Sequence, residues 1–184
     1  MMRIVAGTAG GRRFAVPAGT STRPTSDRAR EAMFSTLTAL RDLDGIAVLD
    51  LYAGSGALGL EALSRGAATA TFVESDPAAA KVIAANGSAL NLVGVDVRCE
   101  TVERFARRGG APAYDLLVAD PPYDVAADVL AGILAVLATE RVVAAGIVVV
   151  ERSSREAEWL WPAPLQALRV RRYGSGTLWY GRRP

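Results

Sequence analysis

The tetrapeptide Asp120-Pro121-Pro122-Tyr123 combines residue types that suit chemistry on the amine of a flat base. It follows the apolar run 114–119, which predicts a buried strand ending at a cleft. Two prolines fix φ and remove two N–H donors, so the segment is stiff and extended. The carboxylate and a proline carbonyl can accept from an exocyclic amine while the tyrosine ring stacks on the base. Taken alone, the four residues fit a rigid turn with a solvated aspartate equally well.

A glycine-rich turn follows an earlier predicted strand, residues 46–51. The turn and the helical pattern after it contain Ala53, Gly54, Ser55, Gly56 and Gly59. A strand, a glycine turn and a helix N-terminus form a site for a polar or anionic ligand, because unpaired N–H groups point outward. The next predicted strand, 69–74, ends on Glu74, 20 residues after Gly54, where an acid accepts from ribose hydroxyls. This combination predicts an adenosine-type ligand.

The glycine spacing also fits a nicotinamide dinucleotide, so a dehydrogenase is the first alternative. Asp50, however, precedes the first glycine by four residues, and the intervening loop is longer than a dinucleotide turn usually allows. A carboxylate there suits a cationic ligand, such as the amino and sulfonium groups of S-adenosylmethionine, although aspartate also commonly ends strands. Because Asp50, Glu74 and Asp120 come at successive strand ends, the methyl donor is the favoured ligand.

The composition predicts one compact enzyme domain. The chain has 184 residues, 51% of them hydrophobic, and no apolar run long enough to cross a bilayer. Its start lacks the apolar core of a signal peptide, and its single cysteine, Cys99, fits a reducing compartment, so we expect a cytoplasmic protein. Histidine is absent and no cysteine cluster replaces it, which argues against a histidine base and against a metal site.

Positive charge is concentrated at the two ends of the chain. Residues 1–30 hold six arginines and one acid, and residues 165–184 hold five arginines and no acid, a net +5 in each case. Residues 31–164 hold ten basic and eighteen acidic residues, a net −8. A GC-rich genome explains arginine in place of lysine, but not its position. The termini therefore predict a phosphate-binding surface, with solvated or bracing arginines as the alternative.

Strand and helix patterns alternate along the chain without repeats. We predict a β-ribbon over 3–16, strands at 46–51, 69–74, 95–99, 114–119 and 142–151, helices at 27–40, about 58–66, 76–90, 101–107 and 125–137, and a closing hairpin of 165–172 with 176–181. Five β-α units and a hairpin predict a Rossmann-like, doubly wound α/β fold with a mostly parallel seven-stranded sheet. We divide the chain into an N-terminal extension, 1–24, and a main domain, 25–184.

Several segments closely resemble the bacterial RsmD family. They are the glycine loop 50–67, the tetrapeptide 120–123, the entrance segments 3–7 and 23–34, and 172–174 in the tail. The resemblance implies a class I methyltransferase that uses S-adenosylmethionine to methylate the 2-amino group of one guanine in small-subunit (16S) ribosomal RNA. We also expect a monomer whose partner is ribosomal RNA within a small-subunit assembly particle. The resemblance also places Ser75, Glu100 and Thr101 near the cofactor, although the segment 98–101 departs from the aspartate often found beside the adenine.

The roles expected from this resemblance extend to the basic ends. The 1–24 extension would serve RNA recognition, and the expected RNA contacts are Arg3, Arg12, Arg13, Arg23, Thr25, Arg28, Arg30, Arg171 and Arg172.

In the expected mechanism, Asp120 and the Pro121 carbonyl accept from the guanine amine, Pro122 stiffens the segment and Tyr123 stacks on the base. An adenine-N6 methyltransferase acting on RNA or DNA is the main alternative. A non-catalytic RNA-binding module is a third interpretation.

Overall fold

The computed structural model describes residues 1–17, 27–108, 113–122 and 124–184. Within these ranges the elements are β1 (Met2–Arg3), β2 (Arg13–Phe14), α1 (Asp27–Leu40), β3 (Ala47–Leu51), α2 (Ala57–Ser64), β4 (Thr69–Glu74), α3 (Pro77–Leu90), β5 (Val95–Cys99), α4 (Val102–Arg107), β6 (Tyr114–Ala119), α5 (Ala127–Glu140), β7 (Val142–Ser153), β8 (Gln166–Tyr173) and β9 (Gly176–Arg182).

Seven strands form one sheet in the order β5-β4-β3-β6-β7-β9-β8. Strands β3 to β7 pair in parallel, whereas β9 runs antiparallel to both β7 and β8. The chain order therefore reverses between β3 and β6, and ligands of such sheets bind outside the strand ends at that switch point. The predicted fold class is confirmed, including the closing hairpin.

Helices cover both faces of the sheet. Alternate residues of the central strands enter opposite cores, so Val48 packs on one face and Leu49 on the other. Helices α1, α2 and α3 contribute to the first core, and α4 and α5 to the second. None of the described helices is long and apolar enough to cross a membrane.

The N-terminal ribbon is smaller than predicted, with only two residues in each strand. Its Ile4 and Phe14 are buried in the first core. Buried Glu61 of α2 accepts from the backbone N–H groups of Val5 and Ala6 at 2.8 and 3.0 Å. The ribbon is therefore anchored on α2, the helix that follows the glycine loop.

Candidate active site

The predicted acids gather at the carboxyl ends of three neighbouring strands. Leu51 of β3 pairs with Val73 of β4 and with Ala119 of β6. Glu74 and Asp120 each come one residue later, so they lie on either side of the first residue after β3, Tyr52. The switch point of the sheet thus brings together carboxylates that are 46 positions apart in the chain.

The glycine loop turns sharply through left-handed backbone conformations. Tyr52, Gly54 and Gly56 have φ values of 57°, 54° and 79°. For the non-glycine Tyr52 this conformation costs about 1–2 kcal/mol. A Cβ on Gly54 would meet nothing nearer than the Tyr52 carbonyl oxygen, at 3.9 Å, so the Gly54 backbone borders open space. The loop leaves room at this point for a ligand to approach the main chain.

Glu74 fixes the loop to the next strand. One carboxylate oxygen accepts from the Gly54 N–H at 2.7 Å, and the other accepts from the Asp76 N–H at 2.8 Å. The Ala53 N–H donates to the Val73 carbonyl at 3.1 Å. Glu74 is half-buried, and each carboxylate oxygen can accept more than one hydrogen bond. It is therefore oriented at the strand end with capacity left for a ligand hydroxyl.

Asp50 lies beneath the loop, with 2% of its surface exposed. It accepts from the N–H of Gly59, the third residue of α2, at 2.9 Å. That N–H is one that an N-cap side chain normally satisfies, and the residue at the cap, Gly56, has no side chain to do so. Burial, together with the nearby charges of Asp120 and Glu74, raises the pKa of Asp50 well above its usual range, against the Gly59 hydrogen bond. Asp50 thus fixes the loop to the helix start.

Glycine also allows α2 to approach the sheet. A Cβ on Gly59 would lie 2.3 Å from a ring carbon of Phe72, so only glycine permits this packing of α2 on β4. A Cβ on Gly56 would contact Ile83 of α3 at 3.1 Å. The absence of side chains at Gly56 and Gly59 therefore lets the loop and the start of α2 pack closely against α3 and β4.

The end of β5 carries the remaining predicted cofactor contacts. Thr101 caps α4, accepting from the Arg104 N–H at 3.3 Å. The Glu100 side chain forms ion pairs with Arg108 at 2.5 Å and Arg104 at 3.7 Å, and its N–H donates to the Glu74 carbonyl at 3.1 Å. Ser75 is exposed after Glu74. These residues adjoin Glu74 at the same edge of the sheet.

Asp120 lies at a small cleft that is open to solvent. The cleft is lined by Asp120, Pro121, Glu151, Arg152, Glu156 and Gly176. Pro121 is buried and Pro122 is exposed, while Tyr123 lies outside the described residues. The sequence analysis did not identify Glu151, although its position carries the same signal as the other acids. Glu151 directly follows the apolar run of β7, just as Glu74 follows the apolar residues of β4 and Asp120 follows β6.

The predicted RNA-contact arginines differ in exposure and in their internal hydrogen bonds. The exposed residues are Arg3, Arg12, Arg13, Arg28, Arg171 and Arg172, and of these Arg3 pairs with Asp27 at 3.1 Å. The Arg12 guanidinium donates to the carbonyls of Leu90 and Ala89 at the end of α3, at 2.7 and 2.5 Å. Arg30 is fully buried, and it donates to Asp27 at 2.8 Å and to the Arg3 carbonyl at 2.5 Å. Burial lowers the pKa of Arg30. No part of Arg30 is exposed to solvent, so a phosphate cannot reach its guanidinium in this structure. Arg23 and Thr25 lie outside the described residues.

The chain is similar to known proteins over nearly its whole length. A family model described as conserved hypothetical protein 95 matches residues 2–182. Ribosomal RNA small subunit methyltransferase D of Escherichia coli (strain K12) is 38% identical over 122 residues, which are 66% of this chain and 60% of that protein. The chain thus spans less than two thirds of the length of this curated relative.

Solved structures extend the likeness in fold. The yhhF protein of Escherichia coli has a TM-score of 0.86 and 31% identity, over 99% of this chain and 97% of that one. Magnesium protoporphyrin IX methyltransferase from Synechocystis PCC 6803, solved with bound S-adenosylmethionine, has a TM-score of 0.66 and 13% identity. The latter match covers 85% of this chain and 79% of that one, and it shows a shared fold alone.

Proposed function

The chain belongs to the family described as conserved hypothetical protein 95, the RsmD family, and on that premise we propose that it methylates small-subunit ribosomal RNA at the 2-amino group of a guanine. The observation that carries the proposal is the position of Asp120 and Glu74 on either side of the glycine loop at the switch point. The name of the Escherichia coli relative supports the ribosomal RNA substrate. We place the reaction in the cytoplasm, on a small-subunit assembly particle, with the chain acting as a monomer.

The residues around the glycine loop fit S-adenosylmethionine. The open space beside Gly54 and the oriented carboxylate of Glu74 suit a ribose carrying two hydroxyls. Asp50 would hold the loop that receives the methionine part, together with Ala53, Ser55, Gly56 and Gly59. Ser75, Glu100 and Thr101 would border the adenosine part. The bound donor supplies a methyl group already activated on a sulfonium.

With an activated methyl group available, the chain's own contribution is mainly positioning. The Asp120 carboxylate and the Pro121 carbonyl would accept from the two N–H bonds of the guanine amine, which directs the amine lone pair toward the methyl group. Tyr123 would stack on the base after it leaves its RNA stack. The methylated amine is strongly acidic, and its proton would pass to Asp120 or to water.

Methyl transfer from labelled S-adenosylmethionine to small ribosomal subunits that lack this modification tests the proposal. Digestion to nucleosides identifies the product, and N2-methylguanosine is expected. If the product is N6-methyladenosine instead, the chain is an adenine-N6 methyltransferase. An absence of label, with RNA binding retained, would favour a non-catalytic binding module.

A further inference from the structure

A second carboxylate, Glu151, lies level with Asp120 on the neighbouring strand. Ala119, the last residue of β6, pairs with Val150 of β7, and Asp120 and Glu151 are the residues that follow this last pair. Side chains level with each other on adjacent strands lie on the same face, and the strands are about 4.8 Å apart. Both residues line the same cleft. Two carboxylates therefore border the space in which the acceptor base is proposed to sit.

The surroundings of Glu151 leave room for its carboxylate at this place. On the other side of β7, β9 pairs antiparallel, and its first residue, Gly176, also lines the cleft. A Cβ on Gly176 would lie 2.7 Å from Oε1 of Glu151, so the missing side chain accommodates the acid. Glycine at this strand start thus leaves space for the Glu151 carboxylate beside the cleft.

The third acid of the cleft, Glu156, is held in an ion pair. Glu156 accepts from Arg152 through an ion pair with a shortest distance of 2.6 Å, and Arg152 also donates to the Val125 carbonyl at 2.9 Å. Arg152 has 8% of its surface exposed. The Arg152–Glu156 pair therefore forms a fixed wall of the cleft, and Glu151 is the cleft acid on the same sheet face as Asp120.

We propose that Glu151 selects guanine by accepting from its N1–H while Asp120 accepts from its 2-amino group. This inference rests on the proposed function and specifies how its site recognises the base. Guanine presents two neighbouring donors, N1–H and the 2-amino group, on its Watson–Crick edge, and two carboxylates complement them. Adenine and cytosine have a ring nitrogen without hydrogen beside their amine. The lone pair of that ring nitrogen would face the Glu151 carboxylate and be repelled by it. Glu151 thus opposes these bases as well as favouring guanine.

Replacing the target guanine by 2-aminopurine tests this inference, because 2-aminopurine keeps the amine but carries an acceptor at N1. The substrates are small subunits assembled on ribosomal RNA with either base at the position that the labelling experiment identifies. We expect the wild-type chain to methylate the guanine substrate about 10- to 100-fold faster, as loss of one charge-assisted hydrogen bond implies. In Glu151→Gln, whose amide can donate to N1 of 2-aminopurine, this preference should fall at least tenfold.

The preference is a ratio between two substrates of one variant, so a merely structural loss of activity would leave it unchanged. Glu156→Gln removes an acid from the same cleft and should keep the wild-type preference. Glu151→Asp retains the carboxylate and should keep the preference at a lower rate, which covers the case in which Glu151→Gln folds poorly. An unchanged preference in Glu151→Gln overturns the role of Glu151 while leaving the proposed function intact. An adenine product, or no product, from the wild-type chain overturns both.

Discussion

At the scale of single residues, the role of Asp120 is the most direct to test. We predict that Asp120→Ala lowers the methyl-transfer rate at least about 100-fold, because the amine loses the acceptor that orients its lone pair. Affinity for S-adenosylmethionine should stay within a few-fold, since Asp120 is assigned to the acceptor base. Single-turnover transfer and calorimetric titration measure the two quantities. Asp124→Ala, which removes an exposed acid four residues later, is the matched control. Full activity in Asp120→Ala would exclude this site.

Asp50 gives a prediction about pH. Burial raises the pKa of Asp50 in the folded state. At a pH well below the ordinary value of about 3.9, Asp50 is protonated in both the folded and the unfolded chain, and its ionisation then does not change the stability. As pH rises above that value, the unfolded chain ionises while the folded chain resists, so the folded state loses stability. Asp50→Asn, whose side-chain oxygen can still accept from Gly59, should remove this loss. We expect its melting temperature to exceed that of wild type by at least about 2 °C at pH 8, with little difference near pH 4. A difference independent of pH would contradict the prediction.

Acids at strand ends were predictable from sequence, whereas the fate of individual arginines was not. Asp50, Glu74 and Asp120 each follow an apolar run, and parallel strands bring their ends to one edge. The sequence does not show whether an arginine side chain points into solvent or bonds to another part of the fold. Arg12, for example, donates to a carbonyl at the end of α3. Arg30 did carry a signal, because it precedes Met33, Phe34 and Leu37 at the spacing of one buried helix face.

At the scale of elements, the contact between α2 and β4 can be tested with glycine. Gly59→Ala would place a Cβ 2.3 Å from the Phe72 ring, and we predict a loss of about 1–3 kcal/mol in the free energy of unfolding. Gly132→Ala in α5 is the matched control. A Cβ there meets nothing within 4 Å, so the same substitution should stabilise the helix by about 0.5–1 kcal/mol. Urea unfolding of both variants measures the differences. Equal effects in the two variants would show that close packing of α2 is unimportant.

Local signals predicted most element boundaries, and long-range contacts account for the differences. Helix α3 begins and ends as its sequence indicates. Asp76 is its N-cap and accepts from the Ala78 N–H, Pro77 is its first residue, and Asn91 at its end adopts a left-handed φ of 56°. The ribbon, in contrast, was predicted too long. Much of its backbone bonds to side chains of α2 more than 50 positions away, including Glu61 and Ser64, instead of to a paired strand. A local pattern cannot show such partners.

At the scale of the whole molecule, the basic C-terminal hairpin forms an exposed edge of the sheet. Strand β8 is the last in the sheet order, and its Arg169, Arg171 and Arg172 are exposed. Of the predicted arginines near the N-terminus, Arg3, Arg12, Arg13 and Arg28 are also exposed, and Arg30 is buried. Arg12 nevertheless donates to the end of α3, and Arg3 pairs with Asp27. Exposed guanidinium groups can replace counterions on phosphates, whereas internally bonded ones brace the fold. The electrostatic contribution to RNA binding should therefore come mainly from the exposed arginines that do not brace α3.

We predict that the double variant Arg171→Ala/Arg172→Ala weakens binding to the unmodified small subunit and flattens its salt dependence. If both side chains contact phosphates, the slope of log K against log salt concentration should fall in magnitude by about 1.4–1.8. Affinity for S-adenosylmethionine and the melting temperature should stay near wild type, because neither side chain is buried. Filter binding at several salt concentrations measures the slope.

Arg12→Gln distinguishes loss of a phosphate contact from loss of a brace. It removes one positive charge from the same basic set, but it also replaces the guanidinium, whose two nitrogens donate to the last carbonyls of α3, by a shorter amide. We expect it to lower the melting temperature and to leave the salt slope nearly unchanged. If Arg12→Gln flattens the slope while Arg171→Ala/Arg172→Ala does not, RNA binds at the N-terminal ribbon, and β8 is only a solvated edge whose arginines oppose pairing with another sheet.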